Sequence, residues 1–238
     1  MTKEARLSPT ADQTYEILFD RRNPASRYDF RRILDLSYRQ EEQGDAEAAC
    51  NTRYAAFQDL YALIPDDEEI ELSWEDDNSQ AALMLLDCSA IDHFLIGDWE
   101  MCAGMWELLL ELDPEDHLEA SARLAYAYLA AGDYESFDEV INDVSDKHVD
   151  KVILALWSEQ RRTGRMSDGD LLRFKRRFGP YYDEFVADEH PVTDGYVADI
   201  RSGHPSRESL ARELWLQTEH LWRLFPDFIE GLKSVGNR

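Results

Sequence analysis

No stretch of this chain approaches about 18 uninterrupted apolar residues, and Met1 to Pro9 shows no positive-then-apolar leader pattern, so neither membrane insertion nor secretion is expected. Cysteine is sparse. Cys50, Cys88 and Cys102 are odd in number and lie in apolar-periodic stretches, which predicts reduced, buried thiols and a cytoplasmic protein. Metal-ligand spacing is missing as well: Cys88, His93 and Cys102, with His117 further on, form no CxxC, HxxxH or HExxH, and no metal is expected. The acidic stretch Asp66 to Asp77 lacks the alternating Asp/Asn ligands and central glycine of a calcium loop. There is no GxSxG elbow, Walker loop or GxGxxG cradle. Ser202-Gly203-His204-Pro205-Ser206 has a passing likeness to a site, but Ser206 reads more simply as a helix N-cap, and His190-Pro191 as loop punctuation. The chain is therefore expected to be no enzyme and to carry no cofactor.

Basic charge is the other shortage. Fifty acidic residues face 25 basic ones, of which only Lys3, Lys147, Lys151, Lys175 and Lys233 are lysines, and the formal charge is -25. Such a field repels phosphate backbones and anionic lipid, which excludes nucleic acid and membrane surfaces as partners at moderate salt. It favours a basic protein or peptide, because opposite fields speed encounter. Solubility alone is the plainer use of the same acidity.

What is present is core material. Six Trp, 11 Tyr and 10 Phe, with 44% apolar residues, are too much for a disordered chain. The apolar spacing is helical nearly throughout. A first helix is predicted after Ser8-Pro9, with Ala11, Tyr15 and Leu18 on one face. A second begins at Ser26, with Asp29 completing a capping box, and runs to about Gln43; Gly44-Asp45 turns the chain into Ala46 to Ile64, closed by Pro65. The segment 66–79 is predicted to be an acidic loop. Helix pairs follow at Gln80–Ile96 with Asp98–Leu112, His117–Ala131 with Tyr134–Val144, and Val149–Arg162 with Asp168–Arg177 through Gly164. Shorter segments and a long helix from Ser206 to Leu224 complete the chain. No segment shows the period-two alternation of a sheet.

Gly97-Asp98-Trp99-Glu100, followed by Cys102, Trp106, Leu109 and Leu112-Asp113-Pro114, resembles the turn, second helix and closing proline of the tetratricopeptide-repeat family. Gly132-Asp133-Tyr134-Glu135 repeats the turn 35 residues on, close to that family's ~34-residue period. Leu124, Ala125 and Tyr128 stand at the family's first-helix positions. The likeness is strongest over 80–145, weaker over 27–65 and 149–178, and lost beyond about 190. It implies an all-α fold: one elongated domain over 1–238, a right-handed solenoid of antiparallel helix pairs with a degenerate pair at 27–65, repeats over 80–178 and a helical C-terminal cap over 179–238. It also implies a protein-binding adaptor or chaperone-like role through a concave groove. The family's groove positions fall at Met84, Asp87, Ile91 and Phe94, then at Glu119, Ala122, Tyr126 and Leu129, with Lys151, Leu154, Ser158 and Arg161 in the weaker third pair. Two other readings compete: an acidic inhibitor or immunity-type protein that neutralises a basic target, and an enzyme without a linear motif. Trp215 and Trp222, seven apart, either bury a capping helix or form an aromatic strip for a homodimer.

Overall fold

The computed structural model describes residues 4–65 and 68–235, 64% helical, in two compact units, Met1–Asp143 and Val144–Arg238. The division falls inside the stretch 80–178 that the repeat alignment treats as continuous.

Unit 1 opens on a hairpin rather than on the helix predicted after Ser8-Pro9. Strands β1 (Ala5–Pro9) and β2 (Tyr15–Phe19) pair antiparallel, with Ala5 opposite Phe19 and Pro9 opposite Tyr15. The correction extends to the absence of any strand signal, and its cause is non-local. The backbone N–H of Ile17 donates to Ser79 Oγ (3.0 Å), and Asn78 Nδ2 donates to the carbonyls of Ile17 (3.2 Å) and Tyr28 (3.0 Å). Asn78 Oδ1 in turn accepts the Phe30 N–H (2.9 Å). Partners some 60 residues away decide the conformation here, and Ile17 ends fully buried.

Helices α1 (Phe30–Glu42), α2 (Ala46–Tyr61), α3 (Asp77–Leu95), α4 (Trp99–Leu112), α5 (Ala120–Ala131) and α6 (Tyr134–Val140) follow, each packed on the next and α1 also on α3. Asp29, not Ser26, is the N-cap of α1, accepting the Arg32 N–H. Asp45, Asp76 and Asp133 cap α2, α3 and α6 in the same way, each satisfying an N–H that the helix start leaves open. Gly44, Gly97 and Gly132 have φ near +80°, the conformation the interhelical turns require and side chains resist. The 35-residue spacing of Gly97 and Gly132 thus marks two real turns. Two boundaries shift for visible reasons. Asp116 accepts from Ala120 N and Ser121 Oγ, so α5 starts at Ala120 instead of His117. Asn142 Nδ2 donates to the carbonyls of Asp138 and Glu139, ending α6 early.

The core of unit 1 includes Trp106, fully buried, whose ring meets Phe94 edge-on at 5.3 Å, and Leu83, Leu86, Leu109 and Leu129 are buried as well. The segment predicted as an acidic loop is irregular but anchored. Ile70 and Leu72 are buried, and Leu72 N donates to the Leu112 carbonyl (2.8 Å), one of the open acceptors at the end of α4. Asp66 and Asp67 lie outside the described residues, and α3 starts inside the predicted loop, at Asp77.

Unit 2 contains α7 (Val149–Thr163), α8 (Asp168–Arg177), α9 (Gly179–Phe185), α10 (Asp194–Ile200), α11 (Arg207–Leu224) and α12 (Pro226–Val235). Gly164, at φ +77°, turns α7 into α8. Ser206 caps α11 by accepting the Ser209 N–H. Trp157, Phe174, Phe185 and Phe228 form its fully buried centre. Trp215 and Trp222 belong to the same centre: Trp222 meets Trp157 edge-on at 5.2 Å, and Trp215 meets Phe185 at 5.2 Å. At 8% and 3% exposure these two side chains offer a second copy almost no surface.

Candidate protein-binding groove

The eight residues that the repeat alignment assigns to a partner do not form one surface. Asp87, Phe94, Ala122, Tyr126 and Leu129 are buried in unit 1, Met84 and Ile91 are half-buried, and only Glu119 is exposed. Asp87 is the most instructive. Its carboxylate accepts the indole N–H of Trp106 (2.9 Å) and pairs with Arg123 (3.1 Å), joining α3, α4 and α5 from within. Burial pushes its carboxyl above the usual carboxylate range, and Arg123 and the Trp106 N–H pull it back.

Surface charge is far more segregated than the chain-wide total suggests. Residues 1–143 hold 34 acidic and 10 basic residues, whereas 144–238 hold 16 and 15. Between Arg53 and Lys147 the sequence places 25 acids against one basic residue, Arg123, which Asp87 occupies. The second half of unit 1 therefore presents a field with almost no compensation.

A groove of about 760 Å³ lies within that field. Its floor is apolar: Ile64, Ile70, Leu108, Leu112 and Pro114. Its rim is carboxylate: Glu68, Glu69, Glu71 and Glu111, all exposed, with no Lys or Arg lining it among the described residues. The floor comes from the end of α4 and from the chain leaving α2, so the segment 68–71 is held over it by the Leu72–Leu112 bond and by Tyr15 N donating to the Glu71 carbonyl (2.8 Å). The C-terminal carbonyls of α4 add negative potential at the same place. An apolar floor under a one-sign rim suits a segment that alternates apolar and cationic side chains.

The corner beside it carries a titratable clamp. The His117 ring stacks on Trp74 at 4.5 Å and 5°, its Nδ1 bonds Asp113 (2.7 Å), and its Nε2 lies 3.3 Å from Glu115. The bond to Asp113, aided by Glu115 and Asp116, raises the imidazole above its ordinary value of 6.5. A raised folded-state value means the stabilisation is complete below about 6.5 and disappears as pH climbs through the folded value. Melting of the wild type is therefore expected to weaken from pH 6 to 8 more than melting of His117→Gln; identical slopes in the two proteins would exclude the clamp.

The three cysteines are free; Cys102 is buried, Cys50 and Cys88 half-buried. Burial raises all three thiols, Cys102 to about 12, so they stay protonated at neutral pH and are poor nucleophiles. Among the described residues no three His, Cys, Asp or Glu side chains group as a metal site, and no helix is long and apolar enough to cross a membrane. His190, read from sequence as loop punctuation, is structural: it stacks on Trp215 at 3.9 Å and bonds Glu184 (2.6 Å), a buried carboxylate that also pairs with Arg212.

Compared with known proteins, the chain matches no family model, no curated protein and no solved structure. The acidic groove is absent from the residues that the repeat likeness singles out. Its one sequence signal is the gap in basic residues from 54 to 122, which coincides with the acidic stretch and the end of α4.

Proposed function

We propose that this chain is a tetratricopeptide-like protein binder whose unit 1 takes a basic, partly apolar segment of another protein in the groove between the 68–71 segment and the end of α4. The observation that carries this reading is the pairing of an apolar floor with four exposed glutamates and, among the described residues, no Lys or Arg in the lining. Apolar side chains seated on the floor supply most of the affinity, at roughly 1.5 to 3 kcal/mol for each one fully buried. The glutamates supply orientation and encounter rate, since exposed ion pairs contribute only about 0.2 to 1 kcal/mol each. The same reading serves an adaptor and an inhibitor of a basic target; the acidic segment forming one wall favours the inhibitor. The glycine turns at Gly97 and Gly132 support the repeat scaffold as an adaptor would use it.

The test is binding of a short synthetic peptide alternating Arg and Leu, followed by fluorescence anisotropy. Replacing Glu68, Glu69, Glu71 and Glu111 by Gln is expected to weaken binding about 30-fold, taking four exposed pairs at roughly 0.5 kcal/mol each. A second variant with Gln at Glu42, Glu47, Glu100 and Glu135 has the same net charge and is expected to change affinity much less. Equal loss in both variants would reduce the groove to bulk electrostatics and end the proposal.

A further inference from the structure

Unit 2 carries a groove of the opposite character. It holds about 790 Å³ between α7 and α8, within the range of ligand-sized clefts, and its floor is Val152, Ala155 and Leu156 of α7 with Phe174 of α8 and Phe178 just past its end. Leu156, Phe174 and Phe178 are buried, while Ala155 is exposed at the middle of the floor. The charges around it do not cancel evenly. Towards the α7–α8 turn, Asp170 pairs with Arg173, and Glu159 accepts the Ser167 N–H (2.9 Å). That end is balanced.

The far end is not. Arg177 reaches back to the Asp146 carbonyl (3.0 Å), which brings the end of α8 beside the segment entering α7. There the only carboxylate of the lining, Asp146, is taken by Lys151 at 2.7 Å. Arg177 lies over the Phe178 ring at 4.9 Å, and neither it nor Arg176 pairs with a carboxylate among the described residues. Three cations, Lys151, Arg176 and Arg177, therefore share the single carboxylate of Asp146 at this end, over an apolar floor, in a protein whose other unit has the reverse arrangement.

We propose that the α7–α8 groove is a second docking site, for an acidic, apolar-bearing segment of a partner protein. Apolar side chains occupy the strip Val152, Ala155, Phe174 and Phe178, and a carboxylate meets Arg176 and Arg177, where the planar guanidinium can bond it in a bidentate manner. The groove is open along one side, which suits a side of a peptide chain better than an enclosed single alkyl chain. With the acidic groove of unit 1, such a site makes the protein bipolar, able to hold two partners of opposite charge. The two sites fail independently, because their residues belong to different units.

The probe is a short synthetic peptide of Glu interspersed with Leu and Phe, titrated into the full chain at physiological salt and followed by anisotropy. Binding is expected, with about a tenfold loss in Arg176→Gln/Arg177→Gln, as two exposed charge-assisted pairs would give. Ala155→Trp, which fills the floor from an exposed position, is expected to abolish binding with an unchanged circular-dichroism spectrum and melting temperature. Arg165→Gln/Arg201→Gln, of equal net charge, is expected to bind as wild type. Absence of peptide binding, or binding that both groove variants retain, overturns the proposal. So does occupancy by dodecanoate, blocked by Ala155→Trp, in a protein that ignores the peptide; that would make the groove an alkyl-carboxylate site.

Discussion

Phe94→Ala combined with Tyr126→Ala is expected to unfold unit 1 rather than to yield a folded protein that has lost its partner. Phe94 and Tyr126 are 4% and 2% exposed, and Phe94 meets both Trp99 and Trp106 edge-on, at 5.4 and 5.3 Å. Removing a buried aromatic ring forfeits its transfer energy and leaves a cavity, together about 3 to 5 kcal/mol for each residue. Two such losses, roughly 6 to 10 kcal/mol, span the whole stability of a typical domain of about 5 to 15 kcal/mol. The expected result is loss of the cooperative transition of unit 1 in urea, with the near-ultraviolet signal of Trp106 collapsing. Because unit 2 holds its own aromatic centre, a second transition is expected to persist and to report on Trp157, Trp215 and Trp222. A double variant that melts within a few degrees of wild type would mean these rings are not core, and would return them to the list of partner-facing residues.

That outcome bears on what could be read from the residues alone. The turns were legible: a glycine 35 residues from another, each followed by Asp, an aromatic and Glu, needs a positive φ and a short interhelical link, and both have them. The helices between them followed from apolar spacing, since a face of Leu, Ala and Trp has to be covered. Which face of α3 and α5 looks outward was not legible, because both helices are apolar on nearly all sides and packed by neighbours before and after them in sequence. The hairpin was not legible either. Tyr15–Phe19 is five residues long and is fixed by Asn78 and Ser79, polar side chains whose partners no local pattern announces. Charge segregation, by contrast, was fully written in the sequence; only the unit boundary was needed to give it meaning.

Asp87→Ala is the other large effect. The repeat alignment places Asp87 in a partner-facing groove, and the charge it meets is the protein's own Arg123. Truncation leaves the Trp106 indole N–H without an acceptor in the core and Arg123, whose Nη2 also bonds the Leu118 carbonyl, without its carboxylate. An orphaned buried donor costs about 1 to 3 kcal/mol, and breaking a buried pair on one side about 3 to 5 kcal/mol. The expected destabilisation is about 4 kcal/mol, read as a lower urea midpoint at unchanged slope. Asp87→Asn keeps an acceptor for Trp106 and lets the partly exposed Arg123 turn to water, so its expected loss is nearer 2 kcal/mol. Arg123→Met separates the contributions in a double-mutant cycle. With Arg123 already gone, Asp87 is a buried carboxylate held by one N–H, so Asp87→Asn then relieves an unpaired charge and is expected to cost little or to stabilise. If Asp87→Asn costs the same with and without Arg123, the two side chains are not coupled, and the junction of α3, α4 and α5 is held by apolar packing around Trp106 alone.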